Sequence, residues 1–298
     1  MRHNELEAEV EKAIKRLDSY AGTILAGSGT NEDIHQFRVT YKKLRAFLRL
    51  LYTGEDHNNP LKPLKKIYSL SGELRDLQIH LGLISGYFKK AEFHNAVYKG
   101  VLEDSIQEAT DKLHEAIQGF SFHEFGDKLT KNLPGKPGDD KARQFVHEQA
   151  QGFYSNIKED ATDEQLHAAR KHLKDIMYNT AYLVAGKEET VLLKSRLELK
   201  ELATMLGEYH DKCALLMRLE GAQSENLPAE EKVVLAHMAR ELLYEKGLHR
   251  EKILKGFKEL IAMADKRSGG LQTAGLLLGS ATVSALAVFF LSYYGREK

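Results

Sequence analysis

Two short motifs occur twice in this chain, in the same order and at nearly the same distance, and that duplication limits the fold more than any other feature. Ile34-His-Gln-Phe-Arg38 is echoed by Leu166-His-Ala-Ala-Arg170. Leu70-Ser-Gly-Glu-Leu-Arg-Asp76 is echoed by Met205-Leu-Gly-Glu-Tyr-His-Asp211. Lys42 and Lys174 each follow their histidine by seven residues. His35 and Gly72 are 37 residues apart, and His167 and Gly207 are 40 apart. Matched motifs at matched spacing imply an internal repeat, so the fold is built from two related halves.

Each half reads as helical. Apolar residues recur with helical spacing, and no stretch alternates with period two for long enough to suggest a sheet. With 5 prolines and no tryptophan, little in the chain interrupts a helix. The pattern predicts helices over 4–26, 32–53, 60–86, 89–118, 140–158, 162–185, 188–220 and 229–265. Gly27-Ser-Gly-Thr, Thr53-Gly-Glu-Asp and Pro134-Gly-Lys-Pro-Gly138 are the breakers. Residues 120–133 are poorly patterned and precede the last of these. The expected division is therefore a first half over 1–133, a second over 134–268, and a hydrophobic C-terminal helix within 269–298.

Charge then singles out one helix face per half. At about 100° per residue, His35, Arg38, Lys42, Arg45 and Arg49 fall within an arc of roughly 80°, with Phe37, Leu44, Phe47, Leu48 and Leu51 opposite. No acid lies between His35 and Arg49 in the sequence. An unrelieved row of like charges costs stability unless an anion occupies it, which favours a ligand over a merely solvated face. The second half projects His167, Arg170 and Lys174 against Leu173, Ile176 and Leu183. Its row is shorter, with Asp175 and Met177 at the positions equivalent to Lys43 and Arg45. The following helices add Lys65 and Lys200, each seven residues before its glycine, and Arg75. The neutral total of 43 basic and 43 acidic side chains conceals this segregation. Residues 35–76 hold nine Lys/Arg and four Asp/Glu, whereas 92–127 hold two and eight.

His35-x-x-Arg38-Val39-x-x-Lys42-Lys43-Leu44-Arg45, followed by Leu70-x-Gly72-x-Leu74-Arg75-Asp76, resembles the signature of the CHAD family (conserved histidine α-helical domain). His167-x-x-Arg170-x-x-x-Lys174 with Leu206-Gly207-x-x-His210-Asp211 is similar to that family's C-terminal half. The likeness covers roughly 5–265. It implies an all-α fold of two pseudo-symmetric four-helix halves whose basic rows face a shared groove. It also implies that the groove binds inorganic polyphosphate, without catalysis and without a cofactor. The implied contacts are His35, Arg38, Lys42, Arg45, Arg49, Lys65, Arg75, His167, Arg170, Lys174 and Lys200. Polyphosphate has no bases to stack, and the basic row is not interleaved with aromatics: Tyr41 and Phe47 lie off the arc. Nucleic acid is thus the weaker polyanion. If His35 and His167 touch phosphates, affinity strengthens as pH falls through about 6.5.

A metal-dependent helical enzyme is the alternative. Glu32-x-x-His35 and Glu164-x-x-His167, with Glu73 and Glu208, supply the ligand types of a di-metal carboxylate site. Against it, the two first-turn glutamates suit a helix N-terminus, and a cationic row repels a dication. His210-Asp211 also suggests a metal pair, but its counterpart Arg75-Asp76 cannot ligate, so each aspartate is expected to hold an N–H or a guanidinium. The Glu-x-Glu-x-Lys strand of triphosphate tunnel enzymes does not occur.

The tail differs from the rest. Residues 269–294 contain no charge, long enough for a spanning helix of about 20 residues, and Gly275-x-x-x-Gly279 provides small-residue spacing. This predicts a membrane anchor, the alternative being a buried bundle helix carrying Gln272, Thr273, Ser280 and Thr282. The lone Cys213 fits a reducing compartment, and the opening residues show no apolar h-region. A cytoplasmic domain held at a membrane is the expected location.

Overall fold

A computed structural model describes residues 3–27, 29–52, 59–94, 96–135, 137–183, 192–222 and 225–267. All regular structure among them is helical. The first half comprises α1 (His3–Leu25), α2 (Asn31–Leu51), α3 (Lys65–Lys90), α4 (Val97–Gln118) and α5 (Phe122–Lys131). The second comprises α6 (Asp139–Asn156), α7 (Asp163–Leu183), α8 (Leu192–Ala222) and α9 (Ala229–Arg267).

The two helices bearing the His-x-x-Arg motifs start the same way. Thr30 accepts the amide of Asp33 at 3.3 Å, while Asp33 accepts the Thr30 amide at 2.8 Å. Thr162 and Gln165 exchange the same pair of bonds, at 3.3 and 2.7 Å. These capping boxes satisfy amides that a helix start leaves open. Because each threonine precedes its histidine by five residues, the caps fix where His35 and His167 stand on the first turns.

Two boundaries differ from expectation. Gly86 does not end α3, which runs on to Lys90, α4 begins only at Val97, and Glu92 lies in the left-handed region at φ 51°. Residues 120–133 contain the short helix α5. Ser121 caps it by accepting the amide of Glu124, and it buries Phe122, Phe125 and Leu129. Three apolar residues over ten are too few to establish a period, but they suffice once α1 supplies the surface. There Gly126 lets α5 approach so closely that a Cβ would lie 3.2 Å from Ile14.

Two hydrophobic cores result. The larger gathers the buried faces of α1 to α5, and the smaller those of α6 to α9. They are interlocked. Leu215, Leu219 and Ala222 from the end of α8, and Leu235 and Met238 from the start of α9, belong to the larger core. Leu50 of α2 belongs to the smaller one. Glu231 of α9 is fully buried and accepts the amides of Val97 and Tyr98 at 3.0 and 2.9 Å, capping α4 from the other half. Helices α2 and α7 also pack directly on each other, where buried Asn179 donates to the Ala46 carbonyl at 2.8 Å.

The expected anchor over 269–294 lies outside the described residues. Among the described residues, no helix is long and apolar enough to cross a membrane.

Candidate anion-binding site

In each repeat the motif glycine faces the motif arginine. A Cβ built on Gly72 would stand 2.3 Å from Arg38 Nη1, so any larger residue would displace that guanidinium. Arg38 Nη1 donates to the Tyr68 carbonyl at 2.8 Å, and the guanidinium lies 4.7 Å from the centre of the Tyr68 ring. Tyr41 stacks on the same ring at 4.1 Å. In the second half the fit is looser: a Cβ on Gly207 would meet Arg170 Nε at 3.4 Å, an ordinary contact. Arg170 Nε is buried and has no hydrogen-bond partner.

With the halves packed through α2 and α7, the two basic rows converge. Lys42 is only partly exposed, and its ammonium is pushed down to about 7. Loss of solvent is the main cause, followed by the charges of Arg38, Arg170 and Arg45. His167 is driven to about 3, first by burial and then by His210, Lys171, Arg170 and Lys42. Its ring stacks on His210 with centroids 4.0 Å apart, and its Nδ1 is buried without a partner. Lys174 is lowered by burial and by Arg170 and Lys200. Lys171 is lowered by burial and by Arg45, Arg170 and Arg49. Arg45 Nε, like Arg170 Nε, is a buried donor with no acceptor. So many cations share so little water that burial and mutual repulsion both disfavour charge.

The expected residues are not equally central. Arg38, Lys42, Arg45, His167, Arg170 and Lys174 form the convergence, with Lys200 at its edge acting on Lys174. His35 lies towards Arg75, which with burial lowers its pKa, and Arg75 donates to the Asn31 carbonyl at 2.9 Å. Lys65 is exposed in the first turn of α3.

One premise needs correction. The first row is not free of acid in three dimensions, because Arg49 donates to Asp175 of α7, whose residue is 2% exposed. The aspartate that shortens the second row neutralises the end of the first. Its own carboxyl is pushed up by burial and pulled back by Arg49, Arg45 and Lys171. In the ligand-free protein, burial and neighbouring cations hold both His35 and His167 below the ordinary histidine range.

Two contributors escaped sequence reasoning. His210 occupies the place of Arg75 in the glycine motif, so aligning the repeats could have found it. Lys171 corresponds to Val39, and the repeat gives no hint of it. The ligand types of the metal alternative do not assemble: among the described residues no three His, Cys, Asp or Glu side chains group as a metal requires. Glu32 and Glu164 are exposed in first turns, and Glu208 bonds His249 at 2.8 Å.

Comparison with known proteins agrees with this architecture. A family model described as "CHAD domain" matches residues 8–220. A crystal structure of the CHAD domain from the plant Ricinus communis superposes with a TM-score of 0.65 at 15% identity, covering 86% of this chain and 91% of that one. No curated protein matches the chain. The family match takes in both His-x-x-Arg helices and both glycine motifs, and the chain belongs to the CHAD domain family.

Proposed function

We propose that the protein binds inorganic polyphosphate, without catalysing its breakdown, in the groove where α2 and α7 bring the two basic rows together. The observation that carries this reading is two buried N–H donors without acceptors (Arg45 Nε and Arg170 Nε) and an unpartnered buried imidazole nitrogen (His167 Nδ1), beside a lysine whose charge is half lost at neutral pH. Burying donors unpaired costs about 1–3 kcal/mol each, which an anion supplying oxygens would remove. A linear polyanion fits better than a single phosphate, because the donors come from both halves. It fits better than nucleic acid because the Tyr68 ring is already engaged by Tyr41 and Arg38, and Tyr41 is buried, so neither offers a platform for a base.

The test is a titration of the full chain with polyphosphate at two salt concentrations. Multiple phosphate contacts release counterions, so affinity should fall steeply between ~50 and ~200 mM salt. Affinity that ignores salt contradicts the groove.

The reading extends to location. Residues 269–294, uncharged throughout, would hold the domain against a membrane on its cytoplasmic side. Removing them should move the protein from the membrane pellet to the soluble fraction with polyphosphate binding retained. A soluble full-length chain would sink the anchor.

A further inference from the structure

Anion binding leaves unexplained the acids that end the glycine motifs. Asp76 and Asp211, one from each repeat, line the same small open cavity between α3 and α8, together with His80 and Arg218. Aspartates among cations ordinarily form ion pairs, as Asp175 does. These two do not: among the described residues neither carboxylate has a hydrogen bond or ion pair, contrary to the expectation that each holds an N–H or a guanidinium. Asp76 keeps an exposed edge, yet its carboxyl is pushed upward by loss of solvent and by the Asp211 charge, with Arg38, Arg218 and His210 opposing. The cavity wall holds one further unsatisfied group. His80 is 1% exposed, its Nε2 lies 3.0 Å from the Tyr98 hydroxyl, and its Nδ1 is buried without a partner.

We propose that Asp76 and Asp211 hold a hard divalent cation, Mg2+ in the first instance, that bridges the two repeats to oxygens of the bound polyphosphate. The assignment rests on polyphosphate being the ligand. Mg2+ keeps several waters and is commonly held by one or two carboxylates plus the phosphates of its ligand, so no third protein ligand is needed. Without the polyanion, Arg218 and Arg38, with the partly charged Lys42, lie around the pair and repel a dication. Once phosphate charge enters the groove the local field reverses, and the cation and the chain bind as a unit. His80 Nδ1 then accepts a hydrogen bond from one of the cation's waters. Burial keeps this imidazole neutral, its pKa at about 4, as that bond requires.

The experiment titrates the full-length protein with polyphosphate of one chain length, in EDTA and in Mg2+, beside the variant Asp76→Asn/Asp211→Asn. Mg2+ should tighten binding to the unaltered protein by about fivefold or more, the scale of an ordinary coupling between sites. In the variant Mg2+ should only weaken binding, by masking phosphate charge. The same Mg2+ response in both proteins overturns the cation site and leaves polyphosphate binding standing. Absence of binding in either buffer overturns both. Asp211→Asn alone, at an exposed position, decides the matter if the double variant misfolds.

Discussion

The two repeats place an arginine against a glycine in the same way but tension the contact differently. In the first, Arg38 is committed to the protein: its guanidinium bonds the Tyr68 carbonyl and rests on that residue's ring, and Gly72 leaves no room for a methyl group. In the second, Arg170 has room at Gly207 and an Nε with no acceptor. Duplication has left one arginine tying helices together and the other with a buried donor that the protein does not satisfy. Similar motifs therefore do not mean equal roles, and the longer first row is not for that reason the stronger one.

The largest expected effects test that division of labour. Arg170→Glu with Lys174→Glu should weaken polyphosphate binding by ~100-fold or more, since charge-assisted contacts contribute about 1.5–3 kcal/mol each. Its thermal stability should hardly change. Arg38→Glu with Lys42→Glu should lose binding to a similar degree and also melt at lower temperature, because the Tyr68 carbonyl and ring lose their partner. Equal melting temperatures for the two variants, by circular dichroism, would erase the asymmetry.

A smaller contrast lies in the glycines. Gly72→Ala should destabilise the fold and reduce affinity together, because the methyl group displaces Arg38. Gly207→Ala meets only ordinary contact and gains the helix preference of alanine, about 1 kcal/mol, so its melting temperature should hold or rise. Parallel denaturant titrations separate the two.

The smallest effect concerns pH and the group that both repeats share. Lys42 is half-charged near pH 7 in the free protein, and a bound phosphate would hold it fully charged. Binding above pH 7 therefore takes up a proton, and affinity should fall as pH rises from 7 to 9. Stability of the ligand-free protein should move the opposite way. The unfolded chain keeps the lysine proton up to its ordinary value of 10.5 and so binds more protons than the folded one, and stability rises with pH between about 7 and 10.5. Lys42→Arg should flatten both slopes. An affinity change centred near 6.5 instead would return the titration to the histidines.

Most of this architecture could be read before the structure, and for identifiable reasons. Helical periodicity, glycine and proline breakers and a pair of repeated motifs are local signals, and they located α2, α3, α7 and α8 along with most of the convergent cations. Contacts between the halves were not legible. Asp175 looks like a gap in the second row until α7 lies beside Arg49. Lys171 matches an apolar residue in the first copy, so its place in the site depends on tertiary approach alone. Asp76 and Asp211 stand 135 positions apart, and only the packing of α3 near α8 brings them to one cavity.

The interlocking of the cores also bears on how the chain is made. Residues 1–133 contain the first repeat whole, yet their hydrophobic interior is completed by Leu215, Leu219, Leu235 and Met238, and α4 receives its cap from Glu231. A ribosome adding about 5–20 residues per second needs roughly 5–20 s to travel from 133 to 238. Through that interval the leading half presents an incomplete apolar surface and an uncapped helix to the cell. The order of emergence thus leaves completion of the first core to α8 and α9, the last helices to be made.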